Sequence, residues 1–330
     1  MVIEKTLEYC RSILKNVSRS FALTIPMVEK NILEPILVGY LEARILDSFE
    51  DEKGGQDIFK AKRVEKIRKV MSIIDDPEGK DSEKLMEDIA RSAPNFIANP
   101  HYLDLVRNMD KVMDVHKKMD THSKSVISLW FGRMAEGMEK YLNKRIDTFE
   151  QLDEYCYYVG GTVGGMLTDL IIKKTGAATT GQIKTLKMER NDFGLFLQKV
   201  NIIRDFRQDI LNNEKIFWPH QVFREHGLMP RDTLSRKNKR KAMSILDRMI
   251  TNSTNHIKHV RKYISAIPED FPGFRNSSIV NYLMGIETLA KLKDNSDVFY
   301  SDMPVKIDKL TAKDIISNPV ECFENHHHTI

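Results

Sequence analysis

Along most of this chain, apolar residues return every three or four positions, which is the period of an α-helix. The pattern is plain over residues 60–74, where Val64, Ile67, Val70 and Met71 share one side and basic residues fill much of the rest. Similar spacing predicts helices over residues 4–15, 32–50, 82–92, 102–121, 123–144, 148–174, 182–212, 231–267 and 277–292. Pro35 is tolerable in the first turn of its helix. Breaks are marked by Asp-Asp-Pro-Glu-Gly at 75–79, by Pro219, Gly227 and Pro230, and by Pro268 to Arg275. Strand patterns are sparse, apart from a short piece near residues 305–307. No repeat of solenoid period is evident, and no shift in composition marks a linker. The expectation is one all-α domain over residues 1–310, followed by a C-terminal tail at 311–330.

Two of the predicted helices carry acidic motifs. Asp47, Glu50 and Asp51 stand at i, i+3 and i+4, which places three carboxylates on one face. Like charges so close repel, unless a cation lies among them. Ile45 and Leu46 precede them, so this is not simply a solvated charge run. In the second motif Gln198, Asn201, Asp205 and Asp209 run down one face of an otherwise apolar stretch. An apolar helix with a regular polar stripe often lines a cavity. Carboxylate pairs on two helices can flank one pocket, and hard oxygen ligands suit Mg²⁺ bound together with substrate phosphates. Arg19, Arg44 and Arg204 lie beside the motifs and could grip phosphate oxygens. Either motif alone reads more readily as an acidic surface face; together, with arginines and apolar surroundings, they favour a metal–diphosphate site.

Composition removes several alternatives. With 41% hydrophobic and 30% charged residues in 330, the chain reads as globular. Its net charge of +4 gives no general case for nucleic-acid binding. The basic run Arg236 to Lys241 reads as a solvated face. Cys10, Cys156 and Cys322 are too few and too scattered for a disulfide framework or a zinc site. His116 and His122 share no tight partner motif, and the histidines at 326–328 lie at the chain's end. Gly160-Gly161-Thr162-Val163-Gly164-Gly165 falls inside an apolar helical stretch, not between a strand and a helix. It suits close helix packing, or room for a long substrate, rather than a phosphate loop. No secretory leader or membrane span is evident, so a soluble, cytoplasmic protein is expected. Its substrate can still come from a membrane, with peripheral contact there for product release. The oligomeric state is not fixed, and a monomer is compatible with the sequence.

Five blocks resemble the squalene and phytoene synthase family, the squalene synthase branch most closely. They are Val17-Ser18-Arg19-Ser20-Phe21-Ala22, the run from Tyr40 to Asp51, Tyr155-Cys156-Tyr157-Tyr158-Val159-Gly160-Gly161, the run from Leu197 to Asp209, and Phe217-Trp218-Pro219. The resemblance implies an isoprenoid-synthase helical bundle around a large central cavity. It also implies head-to-head coupling of two farnesyl diphosphates through presqualene diphosphate to squalene, supplying sterol or hopanoid biosynthesis. Asp47, Glu50, Asp51, Asp205 and Asp209 would hold Mg²⁺. Ser18, Arg19, Ser20, Phe21, Tyr40, Arg44, Gln198, Asn201, Arg204 and Lys215 would bind substrate.

By the same resemblance, Tyr158 is a candidate for proton transfer or cation stabilisation. A neutral phenol with pKa near 10 is a poor base, which leaves released diphosphate as an alternative proton acceptor. Phe21, Phe49 and Phe196 read chiefly as core residues, with π faces toward a cation as the sharper alternative. The final hydride would come from NADPH, held by Lys306 and Lys309. Asp308 replaces an arginine of the family's pattern there, and an acid beside nucleotide phosphates is unfavourable unless it points away. Lys215 likewise stands where the family often has arginine. Alternatives within the family stop at presqualene diphosphate, dehydrosqualene or phytoene without reduction. A non-catalytic relative would be expected to lose the metal carboxylates. The membrane-anchoring C-terminal helix of eukaryotic squalene synthases has no counterpart, which suggests a soluble form.

Overall fold

A computed structural model describes residues 2–50, 57–142, 144–212 and 216–325. Asp51, Lys215 and the histidines at 326–328 lie outside the described residues. No described residue lies in a strand. The short strand expected near residues 305–307 is loop; a lone extended piece with no partner has no ladder to stabilise it. No described helix is long and apolar enough to cross a membrane. The chain divides into two compact units, one comprising Met1–Asn143 and Met166–Gly176, the other Lys144–Gly165 and Ala177–Ile330.

The first unit contains α1 (Val2–Val17), α2 (Phe21–Thr24), a 3₁₀ turn (Ile25–Met27), α3 (Lys30–Glu50), α4 (Asp57–Asp75), α5 (Ser82–Ser92), a 3₁₀ turn (Ala93–Asn95), α6 (Pro100–Arg107), α7 (Met109–Lys118) and α8 (Thr121–Leu142). Helix α3 is its centre and packs on α1, α4, α6, α7 and α8. That position explains why Leu37, Val38, Leu41, Ile45, Leu46 and Phe49 are all buried. The single helix expected over 102–121 is two helices, because Asn108 leaves helical geometry at φ −111° and ψ 27°. Its amide donates back to the carbonyl and carboxylate of Asp104, each at 2.9 Å. Such local bonds compete with the helical ladder.

The second unit begins with α9 (Phe149–Cys156), a π turn (Tyr157–Gly161) and α10 (Thr162–Lys174), inside which the division between the units falls. It continues with α11 (Thr180–Arg204), α12 (Phe206–Asn212) and α13 (His220–Arg224). After 3₁₀ turns at Pro230–Leu234 and Arg236–Asn238 come α14 (Lys239–Thr254), α15 (Ile257–Ala266), α16 (Pro272–Leu292), α17 (Asp297–Tyr300), α18 (Lys309–Ser317) and α19 (Pro319–Asn325). Helix α11 is central here, packed on α9, the π turn, α14, α15 and α16. It starts at a capping box, with Thr179 Oγ1 accepting from the Gln182 amide at 3.2 Å and Gln182 Oε1 accepting from the Thr179 amide at 2.9 Å. Residues 311–325, read from sequence as a tail, form most of α18 and all of α19. Phe323 is buried there, edge-on to Tyr282 at 5.8 Å and beneath Arg261 at 4.2 Å.

Candidate functional site

In the first unit the Asp-rich helix exposes one narrow stripe. From Pro35 to Glu50 every residue is buried except Tyr40, Arg44 and Asp47. These stand four and three apart, so they lie along one helical line. Arg44 reaches Asp47 at 3.5 Å and covers the Tyr102 ring at 5.3 Å. Glu50, predicted to share the face of Asp47, is only 5% exposed. Tyr40 donates to the Val17 carbonyl at 3.3 Å, and its ring meets Phe21 at 5.2 Å. The Ser18–Phe21 block is therefore held against α3. Ser18 Oγ accepts from the Phe21 amide at 3.0 Å, which starts the short α2. Arg19 and Ser20 are exposed beside it.

A buried pair lies behind that stripe. His116 Nδ1 and Glu42 Oε1 are 2.6 Å apart, both essentially inaccessible. Burial pushes the Glu42 carboxyl up, while His116 opposes the shift. His116 thus has a close partner, contrary to expectation; a separation of 74 residues between the two hides it from local reading.

The second unit repeats the stripe on α11 and α12. Gln198, Asn201, Asp205 and Asp209 are accessible, whereas Lys199, Val200, Ile202, Ile203 and Phe206 are buried. The predicted single helix breaks at Asp205, with φ −94° and ψ 3°. The Asp209 amide still donates to the Asp205 carbonyl at 3.0 Å, so both carboxylates remain one turn apart. Arg204 forks onto Asp205, Nε to Oδ1 at 2.8 Å and Nη2 to Oδ2 at 2.6 Å. Burial disfavours its charge, but hydrogen bonds to Asp205 and the charges of Asp205 and Asp209 outweigh this and raise its pKa.

Trp218 secures this junction. It is fully buried, donates to the Ile202 carbonyl at 3.0 Å and stacks on Phe206 at 3.9 Å. Arg207 ties α12 to the chain near α17, donating to the Phe299 carbonyl and Asp302 Oδ1, each at 2.8 Å. In sequence the Phe-Trp-Pro block was a resemblance without a physical role; its role is to hold the turn between α11 and α12.

Tyr158 sits in the π turn, a feature that often marks functional positions. Its ring lies 5.4 Å from that of Tyr157, and its carbonyl accepts from Thr162 Oγ1 at 2.6 Å. The turn rests directly on the α11 backbone. A Cβ at Gly160 would come within 2.6 Å of the Gly194 carbonyl oxygen, and one at Gly164 within 2.1 Å of the Arg190 carbonyl oxygen. Of the two uses read for the glycine block, close packing holds at these positions. Phe49 and Phe196 are core residues with no exposed surface, while Phe21 is half-buried.

The segment read as a nucleotide contact has a different geometry. Asp308 caps α18: its Oδ1 accepts from the Thr311 amide and its Oδ2 from the Thr311 hydroxyl, each at 2.9 Å. Those bonds hold its carboxyl down at about 2. The amides at the start of α18, where an anion would dock, already have a carboxylate. Lys306 and Lys309 are exposed on either side. They are two cations flanking an anion.

Sequence reading missed one cluster entirely. Glu189, Asp192 and His259 each bring a ligand atom within 4.8 Å of the others. Each already has a partner, since His259 meets Glu189 at 2.5 Å, Lys262 meets Glu189 at 3.8 Å and His256 meets Asp192 at 2.7 Å. The i, i+3 acids on α11 were the available signal. The donor sets better suited to Mg²⁺ are the accessible carboxylates of the two stripes, all hard oxygens with arginines beside them.

The described residues form helices and no strands, with acid-and-arginine stripes on α3 and on α11 and α12, and the fold is that of the isoprenoid-synthase helical proteins. A solved complex of TcSQS with a ligand is 27% identical, with a TM-score of 0.82 over 95% of this chain and 86% of that one. The chain belongs to the squalene/phytoene synthase family, whose family model matches residues 14–311. Squalene synthase 3 of Panax ginseng is 29% identical over 299 residues, covering 88% of this chain. The chain spans 65% of that relative's length. An inactive squalene synthase 2 of Arabidopsis thaliana is 28% identical over 303 residues, covering 90% of this chain and 67% of its own. Overall likeness to a relative named inactive is thus nearly the same as to one named squalene synthase, and activity has to be argued from the site.

Proposed function

We propose that this protein catalyses the Mg²⁺-dependent head-to-head coupling of two farnesyl diphosphates to presqualene diphosphate, and then its NADPH-dependent reduction to squalene. The observation that carries the reading is the pair of accessible stripes, Tyr40–Arg44–Asp47 between buried residues of α3 and Gln198–Asn201–Asp205–Asp209 on α11 and α12, the latter with Arg204 paired to Asp205. Asp47 with Asp51, backed by Glu50, and Asp205 with Asp209 would hold Mg²⁺. When bound, the metal supplies Lewis-acid assistance to departure of the allylic diphosphate. Arg44 and Arg204 grip phosphate oxygens, joined by Arg19 and Lys215; Ser18, Ser20, Gln198 and Asn201 supply polar contacts, and Phe21 with Tyr40 shields them. In the coupling, one allylic C–O bond breaks and its diphosphate leaves, the cation adds to the double bond of the second farnesyl diphosphate, and loss of one proton closes a cyclopropane, so that two carbon–carbon bonds join the prenyl chains. Tyr158 presents a phenol to the cation at that stage, with released diphosphate as the terminal proton acceptor.

The reductive half rests on the names of the relatives, with Lys306 and Lys309 as the residues that would meet NADPH. Asp308 favours a second reading, in which the reaction ends at presqualene diphosphate or an unreduced hydrocarbon. Incubation with farnesyl diphosphate and Mg²⁺, with and without NADPH, separates them. Squalene formed only with NADPH supports the full reaction, and identical products in both tubes support the second reading. No product from either tube, or undiminished turnover by a folded Asp205→Asn variant, refutes the metal-site reading.

A further inference from the structure

Lys199 is buried in the middle of the proposed machinery, yet neither metal binding nor packing accounts for its charge. It follows Gln198 on α11 but points away from the accessible stripe, and it is 1% exposed. Its ammonium forms an ion pair with Asp153 Oδ1 at 2.5 Å and donates to His256 Nε2 at 2.8 Å. Because Nε2 accepts, His256 carries its proton on Nδ1, which donates to Asp192 Oδ1 at 2.7 Å. The chain of contacts therefore runs Asp153, Lys199, His256, Asp192, from α9 through α11 to the residue that caps α15 and back to α11.

Asp153 is where this network meets the reaction. It lies one helical turn before Tyr157 and Tyr158, and α9 passes without interruption into the π turn. On its far side the same turn is held by backbone packing of Gly160 and Gly164 on α11. The lysine thus fixes one end of the segment that carries Tyr158, and the glycines fix the other. Packing alone does not call for a charge there. Apolar side chains in place of the whole pair would fill the space at equal or better stability, since desolvating an ion pair offsets much of its attraction. What an ammonium adds is a charge: its attraction holds the Asp153 carboxylate against α11.

We propose that Lys199 is a positioning residue, holding the junction of α9 and the π turn on α11 through Asp153 so that Tyr158 is correctly placed. The proposal rests on the role given to Tyr158 above. Its test compares Lys199→Met, Asp153→Asn, Tyr158→Phe and the Lys199→Met/Tyr158→Phe pair in single-turnover formation of presqualene diphosphate, with thermal unfolding of each. Lys199→Met, which leaves Asp153 without its counter-charge, should unfold below the wild-type temperature, lose about tenfold or more in kcat, and leave KM within about threefold. Asp153→Asn should show the same split. In the Tyr158→Phe background, adding Lys199→Met should cost less than about twofold, because both changes act through one group. A folded Lys199→Met enzyme with wild-type kcat, or two losses that multiply in full, overturns the proposal. If Lys199→Met does not fold, Asp153→Asn decides by the same criteria. Amide hydrogen exchange over residues 153–161 provides a readout without turnover. It should accelerate in both single variants while the rest of α11 keeps its protection, and unchanged exchange also overturns the clamp. An inactive wild type refutes the function reading, and the exchange result still decides the clamp.

Discussion

One methyl group at position 194 tests how the π turn is held. A Cβ there would stand 2.0 Å from the Gly160 carbonyl oxygen, 2.1 Å from its carbonyl carbon and 2.5 Å from the Gly161 nitrogen. Ordinary contact begins at 3.4 Å, and all three atoms are backbone, so no side chain can turn aside. Helix α11 and the turn must part by roughly an ångström or more, and overpacking of this kind costs about 1–3 kcal/mol. Replacing glycine inside a helix returns about 1 kcal/mol of propensity. The net loss is then up to about 2 kcal/mol, or a fall of several degrees in unfolding temperature for a unit of this size. Turnover should suffer more, because Tyr158 rides on the displaced turn and such a displacement costs on the order of 100-fold. Gly132→Ala on α8 is the control, since a Cβ there meets nothing within 4 Å. It should gain about 0.5–1 kcal/mol and keep full activity. Thermal and urea unfolding, with single-turnover assays, measure both. A Gly194→Ala protein as stable and active as Gly132→Ala would refute the reasoning.

Two further variants probe the helix junctions. Asp120 caps α8, accepting from the Ser123 amide at 3.0 Å and from Lys174 at 2.8 Å, and the lysine, against the cost of burial, helps hold its carboxyl well below the usual range. A depressed folded pKa means stability that is present above the unfolded value near 3.9 and is lost as pH falls below it. Asp120→Ala should therefore cost about 1 kcal/mol at neutral pH, chiefly through the cap, with a urea-midpoint difference that narrows below about pH 4. Trp218→Phe leaves the Ile202 carbonyl without its donor, so about 1–3 kcal/mol should be lost. The Mg²⁺ concentration needed for half-maximal turnover should rise as the Asp205 turn loosens; an unchanged metal requirement would separate Trp218 from the motif.

Helical period made most elements legible, and α5 falls on the residues that spacing predicts. Interruptions were not legible, because at Asn108, Tyr157–Gly161 and Asp205 the apolar period continues while the backbone departs from it. Each departure is decided by a local side-chain bond or a distant backbone. The stripe residues could be named in advance because accessibility on a buried helix follows the same period. Lys199 could not: from sequence a lysine on an apolar helix reads as one that snorkels to solvent. Only the approach of Asp153 and His256, 46 and 57 residues away, shows otherwise. Asp308 looked out of place beside a nucleotide until the cap on Thr311 gave it a local purpose.

The acids that first drew attention posed an electrostatic problem, and the fold meets it with its own cations. Asp47 has Arg44 one turn earlier on its stripe, and Asp205 has Arg204 beside it in a two-pronged pair. Both arginines are partly accessible, 23% and 31% at the side chain, so neither is locked inside the core. The single contact of Arg44 with Asp47 contributes about 1 kcal/mol or less, because water screens it. That weakness suits a site for a metal and a phosphate. Strong pairs would have to be broken before ligand could bind, whereas weak ones let the carboxylates turn to a cation and the guanidinium groups to an anion at little cost. The arginines thus account for two properties at once: acids tolerated beside buried residues, and acids still accessible, as the proposed function requires.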